Sequence, residues 1–137
     1  MLPSLTRTTC GFYDMAAIRS LQAVNTAQIQ YISTYGRYAE SLRELGPASD
    51  GEPPSDASTD LIPKSLAVGI HSGYVFRMVA TPAGYSVNAD PHMYDTTGSR
   101  SFYTDRTNVI RWHSGNEPAS KNDPAVSETR PCSIPLL

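Results

Sequence analysis

The chain has 137 residues, the size of one ordinary domain, and apolar residues make up 39% of it. Its formal net charge is only −2, and Lys and Arg occur singly along the sequence, which argues against a nucleic-acid-binding protein. No stretch reaches the roughly 18 apolar residues of a membrane-spanning helix, and 11 Pro with 9 Gly are too few for a wholly disordered chain. These quantities predict a single loop-rich globular domain.

The strongest periodic pattern lies in residues 16–38 and predicts one long amphipathic helix. At about 100° per residue, seven apolar side chains share one broad face. They are Ala17, Leu21, Val24, Tyr31, Ile32, Tyr35 and Tyr38. Ile18 and Ile29 form a second, smaller apolar flank. We expect Asp14 to be the N-cap and Gly36 to be the first helix-breaking residue.

Residues 39–72 are predicted to form mainly a loop between the helix and the strands. Ser41 and Glu44 match a capping box, which predicts one short helical turn closed by Gly46. Residues 48–60 are rich in Pro, Ser, Asp and Gly and should be an exposed loop. A further short turn is expected within residues 61–69, where Gly69 would end it.

Residues 73–112 show strand-like alternation and predict two β-hairpins. The first spans residues 74–90, with Pro82 and Gly84 in its turn, and the second joins residues 100–105 to residues 108–112. Residues 1–15 are predicted to be an N-terminal extension, and residues 116–137 a Pro-rich tail that lies on the surface or is disordered. The predicted fold class is α+β, with one long N-terminal helix packed on a four-stranded antiparallel sheet.

Four segments of the chain follow one another in an order and spacing found in a known family. They are AAIRSLQAVNTAQIQYISTYGRYAESLRELG, LIPKSLAVGIHSGYVF, GYSVNADP and GSRSFYTDRTNVIRW. Together they resemble bacterial type IV pilin-like and type II secretion pseudopilin-like proteins. The resemblance implies a pilin-like head in residues 16–115, a structural subunit that acts by assembly, without catalysis or a cofactor. It implies other pilin-like subunits as partners and a location in the cell envelope or an extracellular filament.

The N-terminal region departs from the pattern of these proteins. They begin with a basic leader, a processing site and about twenty apolar residues. In this chain, only Gly11 and Phe12 weakly resemble the processing site. We expect a truncated chain, a split pilin whose apolar helix comes from a separate chain, or a relic of such a protein. The alternative function is a free soluble pilin-like domain that binds a protein partner or ligand without polymerising. Which filament system the subunit serves (motility, adhesion, DNA uptake or secretion) stays open.

Two sets of residues are tied to the implied assembly. In an oxidising envelope, a disulfide between Cys10 and Cys132 would tie the tail to the base of the helix and stabilise the fold by up to roughly 5 kcal/mol. Two unrelated thiols are the other interpretation. Ile18, Arg19 and Ile29 are the predicted flank of the helix that faces a neighbouring subunit.

The sequence predicts no metal site. Three histidines are isolated from one another, and we expect them to be solvated side chains: His71, His92 and His113. Some secretion-type relatives bind calcium in loops, and three aspartates could supply oxygen ligands: Asp90, Asp95 and Asp105. Their spacing is not that of an EF-hand, so roles in capping turns are expected instead.

The sequence also predicts no enzyme. The common nucleotide-binding, zinc-protease and nucleophile-elbow motifs are absent from it. Asp105, His113 and Ser114 can be written as a catalytic triad on composition alone. Tyr31, Tyr35 and Tyr38 share a helix face and are expected to pack against the sheet. The strand residues expected opposite them are Tyr74, Phe76 and Tyr103.

Overall fold

The computed structural model of the chain describes residues 12–48, 52–93, 100–115 and 117–126. Within these residues, three helices and five strands follow one another. They are α1 (Phe12–Tyr35), α2 (Leu42–Leu45), α3 (Lys64–Val68), β1 (Ile70–His71), β2 (Tyr74–Thr81), β3 (Gly84–Pro91), β4 (Arg100–Asp105) and β5 (Arg111–Ser114). The α+β class predicted from the sequence is confirmed, with one long N-terminal helix and an antiparallel sheet.

Helix α1 begins four residues and ends three residues earlier than the sequence pattern predicts. Its end at Tyr35 is set by Gly36, which has a φ of +78° and donates its N–H to the carbonyl of Ile32 at 2.9 Å. The prediction that Asp14 is the N-cap is wrong, because Asp14 lies inside the first turn of α1. Its carboxylate is buried against the sheet instead.

The two short helices form where the sequence predicts helical turns. The Ser41 hydroxyl accepts the Glu44 N–H at 3.4 Å, and the Glu44 carboxylate accepts the Glu40 N–H at 2.8 Å. Helix α3 ends at Gly69, which has a φ of +106°. These loop elements cover one end of the sheet, and Leu42, Leu45 and Leu66 enter the core from them.

A substitution at Gly69 tests how much stability depends on a glycine at the end of α3. An added Cβ would lie 3.1 Å from the carbonyl oxygen of Phe76, and the positive φ is itself strained for any other residue. We expect Gly69→Ala to lower the free energy of unfolding by about 1–3 kcal/mol in chemical denaturation. Gly36→Ala is the matched control, since its φ is also positive but its Cβ would meet nothing within 4 Å. Equal losses of unfolding free energy in the two variants would show that the close contact with Phe76 does not destabilise the fold.

The sheet has five strands in the order β1-β2-β3-β4-β5, each antiparallel to its neighbour. The prediction of four strands is therefore wrong by one. The extra strand, β1, pairs Ile70 with Val75 and His71 with Tyr74, within residues that the sequence assigns to loop. Strand β5 begins three residues later than predicted, because Asn108 takes a φ of +67° that strands do not allow.

The core lies between one face of α1 and the sheet. Four members of the predicted apolar face are buried there: Ala17, Leu21, Val24 and Tyr31. Tyr35 is 40% exposed, while Tyr38 lies beyond the helix and packs edge-on against Tyr85, with ring centroids 5.1 Å apart. Tyr31 is fully buried in the core, and Tyr38 packs against the sheet, but its contact is Tyr85 of β3 and not one of the strand residues predicted to lie opposite it.

Residues 117–126, here called the strap, cross the face of the sheet opposite α1. Ser101 Oγ donates to the Glu117 carbonyl at 2.6 Å, and Asn88 Nδ2 donates to the Ala119 carbonyl at 2.9 Å. The chain then returns to the edge of β5. Ala119 and Ala125 are buried, so this part of the predicted surface tail is a third layer of the fold.

Candidate assembly surface

The side of α1 that points away from the sheet is exposed along most of the helix. We call it the outer helix face. It is made of Arg19, Gln22, Ala23, Thr26, Ile29, Gln30 and Ser33. These positions span 15 residues, and the first and last lie about 21 Å apart along the helix. Arg19 is the only charged residue among them, and Ile29 is 49% exposed.

Most of the side chains on the outer helix face are polar, but only one is charged. The exposed side of an amphipathic helix normally carries charged and polar residues. Depletion of charged residues is one of the features found at the centre of protein interfaces. Ala23 and Ser33 are also small, so a second backbone could approach the helix closely at these positions. The outer helix face is therefore a candidate contact surface for another protein.

The structure separates the three residues predicted to face a neighbour. Arg19 and Ile29 lie on the outer helix face, but Ile18 is 8% exposed and belongs to the core. Ile18 is therefore buried within the chain itself, and the role of the three residues in facing a neighbour stays a prediction. Helical geometry places Ile18 within about 20° of Ile29 around the axis. Ile18 shares a groove with the turn after β4 and with the end of the strap, an arrangement that periodicity cannot reveal.

A shallow groove of about 310 Å³ runs beside Ile18 at the N-terminal half of the outer helix face. Its lining comes from the helix, the turn after β4 and the end of the strap. The lining residues are Ile18, Gln22, Asn108, Val109, Ile110, Ala125 and Val126. Since Gln22 belongs to both surfaces, the groove extends the outer helix face with a mainly apolar strip.

The N-terminal end of α1 is fixed to the sheet by a buried ion pair. Asp14 Oδ2 accepts from Arg100 at 2.9 Å, and Asp14 Oδ1 accepts from the Tyr74 hydroxyl at 2.7 Å. The Arg100 carbonyl is a second acceptor for that hydroxyl, also at 2.7 Å. Burial, followed by the hydrogen bond to the Asp14 carboxylate, raises the pKa of Tyr74 far above its usual value. Tyr74 therefore stays a hydrogen-bond donor at any physiological pH.

The middle of α1 is fixed by two buried amide side chains. Asn25 donates to Thr104 Oγ1 at 2.9 Å and accepts from the Tyr85 hydroxyl at 2.7 Å. Gln28 donates to the Ala39 carbonyl at 3.0 Å and accepts the Ala39 N–H at 2.8 Å. The sequence shows Gln28 only as a polar interruption of the apolar face. These contacts hold α1 rigidly on the sheet, which keeps the outer helix face in a fixed position.

The three histidines lie apart, but only His92 is the exposed side chain that the sequence predicts. His71 Nδ1 lies 2.6 Å from Ser65 Oγ, while His113 lies 3.4 Å from Glu117 and 3.3 Å from Asp123. His92 is exposed beyond the end of β3. Within the described residues, no group of three or more His, Cys, Asp or Glu side chains could hold a metal ion.

The two described aspartates of the predicted loop set have separate structural roles, and Asp95 lies outside the described residues. Asp90 forms an ion pair with Arg77, yet burial raises the pKa of Asp90. Burial would also raise the pKa of Asp105, but hydrogen bonds from Thr107 and Tyr103 outweigh it and lower that pKa below its ordinary value. Asp105 thus caps the turn after β4, where its Oδ1 accepts the Thr107 N–H at 3.0 Å.

The triad written from composition does not assemble in space. His113 pairs with Ser101 across the sheet, four residues along β4 from Asp105, which is a separation of about 13 Å. The side chain of His113 instead contacts the strap. Cys10 and Cys132 lie outside the described residues, so the predicted disulfide between them stays a prediction.

Comparisons with protein-family models, with curated proteins and with the solved structures find no match for this chain. Among the described residues, none of the helices is both long and apolar enough to cross a lipid bilayer. What the protein does has to be inferred from its own surface together with the sequence resemblance.

Proposed function

We propose that the chain is the globular head of a structural subunit in a filament of the type IV pilus or pseudopilus kind, acting by assembly and without catalysis. The observation that supports this most directly is the outer helix face, which is exposed over about 21 Å with Arg19 as its only charge. A long N-terminal helix with one side on the sheet and one neutral side free is suited to packing beside the helix of a neighbouring subunit.

The proposed contact is helix against helix. Ala23, Thr26 and Ser33 leave room for close approach, and Ile29 supplies apolar area at the centre of the face. Removing this surface from water would provide the attraction between subunits. Arg19 lies toward one end of the face, where a charge can select the orientation of the partner at little desolvation cost.

The outer helix face alone is too small for a stable assembly. A strip about 21 Å long and about 10 Å wide covers roughly 200 Å², compared with about 800 Å² per partner in a standard interface. Further contacts must come from elsewhere in the subunit. In pilin-like proteins they come from the apolar half of the helix, so we propose a partner chain or segment that supplies this part.

Charge placed at the centre of the outer helix face tests the proposal. We expect Ile29→Glu to lower incorporation into sheared extracellular filaments about tenfold, because an unpaired carboxylate would be desolvated in the contact. Val68→Glu is the matched control: Val68 is 69% exposed and lies on α3, away from the outer helix face. Both variants should unfold at the wild-type denaturant midpoint. Wild-type incorporation of Ile29→Glu, or recovery of the wild-type protein only in the soluble fraction, would refute the proposal.

A further inference from the structure

The two edges of the sheet differ in how far their backbone groups are paired. At the β5 edge the strap supplies a partner: Trp112 donates its N–H to the Pro124 carbonyl at 3.1 Å, and Val126 donates to the Ile110 carbonyl at 2.8 Å. At the other edge β1 is only two residues long and pairs with Tyr74 and Val75. The longer strand β2 is therefore the effective edge beyond that point.

The second half of β2 has outward-pointing peptide groups. Phe76 directs its N–H away from β3, to the Gly69 carbonyl at 2.6 Å. Peptide groups alternate in direction along an antiparallel strand, so those of Met78 and Ala80 point the same way as that of Phe76. Among the described residues, nothing forms a backbone hydrogen bond with Met78 or Ala80 on that side. We call residues 77–81 the open edge.

The side chains of the open edge give little protection against pairing. Natural edge strands usually carry an inward-pointing or free charge, a proline or a bulge. Here Val79 is 57% exposed, Ala80 is exposed, and the pairing with β3 is continuous without a bulge. Arg77 is the only charge, and it is already paired with Asp90 on β3. The open edge therefore has the composition of a strand that accepts a partner.

We propose that the open edge pairs antiparallel with the open edge of a second copy of this chain, around a twofold axis at Val79. Met78 of each copy would lie opposite Ala80 of the other, giving four backbone hydrogen bonds. The two Val79 side chains would meet directly, as a pair that shares no backbone hydrogen bonds, with Cα atoms about 4.5 Å apart. Two five-stranded sheets would join into one.

The residues of the open edge favour a second copy over an unrelated strand. In the proposed register Arg77 lies opposite Thr81 of the other copy, so the two Arg77 side chains stand at opposite ends and do not repel one another. Apolar Val79 lies opposite itself. The pairing uses a surface different from the outer helix face and forms a closed dimer, so it goes beyond the proposed function.

Sedimentation of the full chain over a range of concentrations tests the proposal. Because the open edge is also small, we expect the wild-type chain to form a weak dimer that is populated only at high concentration. Val79→Lys should raise the dissociation constant about tenfold, because two like charges would lie directly opposite each other. Val68→Lys is the matched control at an exposed valine outside the edge and should dimerise like wild type. A wild-type chain that stays monomeric at its highest soluble concentration, or equal dissociation constants for the two lysine variants, would overturn the proposal.

Cross-linking tests the register. In a chain with Cys10→Ser and Cys132→Ser, Val79→Cys should form a disulfide-linked dimer on mild oxidation, because the paired Cα atoms lie within disulfide range. Thr81→Cys should not, since its twofold mates would lie about 13 Å apart. Dimerisation that is lost in Ile29→Glu and retained in Val79→Lys would assign self-association to the outer helix face instead. A dimer that cross-links equally well through both cysteines would likewise refute the register.

Discussion

Replacing Asp14 by Ala should lower the free energy of unfolding by about 3–5 kcal/mol. Asp14 is 5% exposed, and its carboxylate accepts from Arg100 and from the Tyr74 hydroxyl. Without it, the Arg100 guanidinium would remain partly buried with no counter-charge. Breaking one side of a buried ion pair is costly for this reason, even where the intact pair adds little net stability.

A double-mutant cycle in chemical denaturation would isolate this interaction. Asp14→Ala and Arg100→Ala should each destabilise strongly, while the double variant should lose clearly less than the sum of the two. Arg19→Ala is the matched control on the same helix, because Arg19 is exposed, and should change stability by no more than about 0.5 kcal/mol. Strictly additive losses in the cycle would show that Asp14 and Arg100 do not act as a pair.

The elements that the sequence predicts well are those specified by neighbouring residues. Gly36 ends α1 because its backbone can adopt positive φ, and Pro82 with Gly84 closes the first hairpin at the predicted turn. The capping box at Ser41 and the end of α3 at Gly69 are local in the same sense. Each signal lies within about four residues of the structure that it determines.

The features that the sequence does not reveal depend on contacts between distant residues. Strand β1 has only two residues, too few for any periodic pattern, and forms because Ser72 and Gly73 adopt positive φ and fold it back on β2. Asp14 has the residue type of an N-cap, yet it lies in the first turn of the helix because Arg100, 86 residues away, supplies a buried partner. Local propensity was overruled by tertiary structure in both cases.

The candidate surface was predictable only in part for the same reason. Periodicity correctly sets Arg19 and Ile29 apart from the core face of α1. It cannot show that Ile18 is buried beside the end of the strap, since residues 117–126 have no regular pattern and are held by side chains such as Ser101 and Asn88. The neutral character of the outer helix face becomes visible only after the buried face is known.

The second large loss of stability is expected on replacing Gln28, whose fully buried amide lies on the core face of α1. Gln28 accepts the N–H of Ala39 and donates to its carbonyl, so one side chain satisfies both peptide groups of a buried loop residue. Gln28→Met keeps nearly the same volume but removes both hydrogen bonds. Each buried peptide group left without a partner costs about 1–3 kcal/mol. We therefore expect Gln28→Met to lose about 2–4 kcal/mol of stability.

Two matched variants separate the hydrogen bonds of Gln28 from its packing. Gln30→Met, at an exposed glutamine of the same helix, should stay within about 0.5 kcal/mol of wild type. Gln28→Ala should lose more than Gln28→Met, because a cavity is added to the unpaired groups. Hydrogen exchange at the Ala39 amide should also become faster in both Gln28 variants, since its acceptor is gone. If Gln28→Met were as stable as Gln30→Met and the Ala39 amide kept its protection, the loop after α1 would be held by packing against Tyr85 and not by this amide.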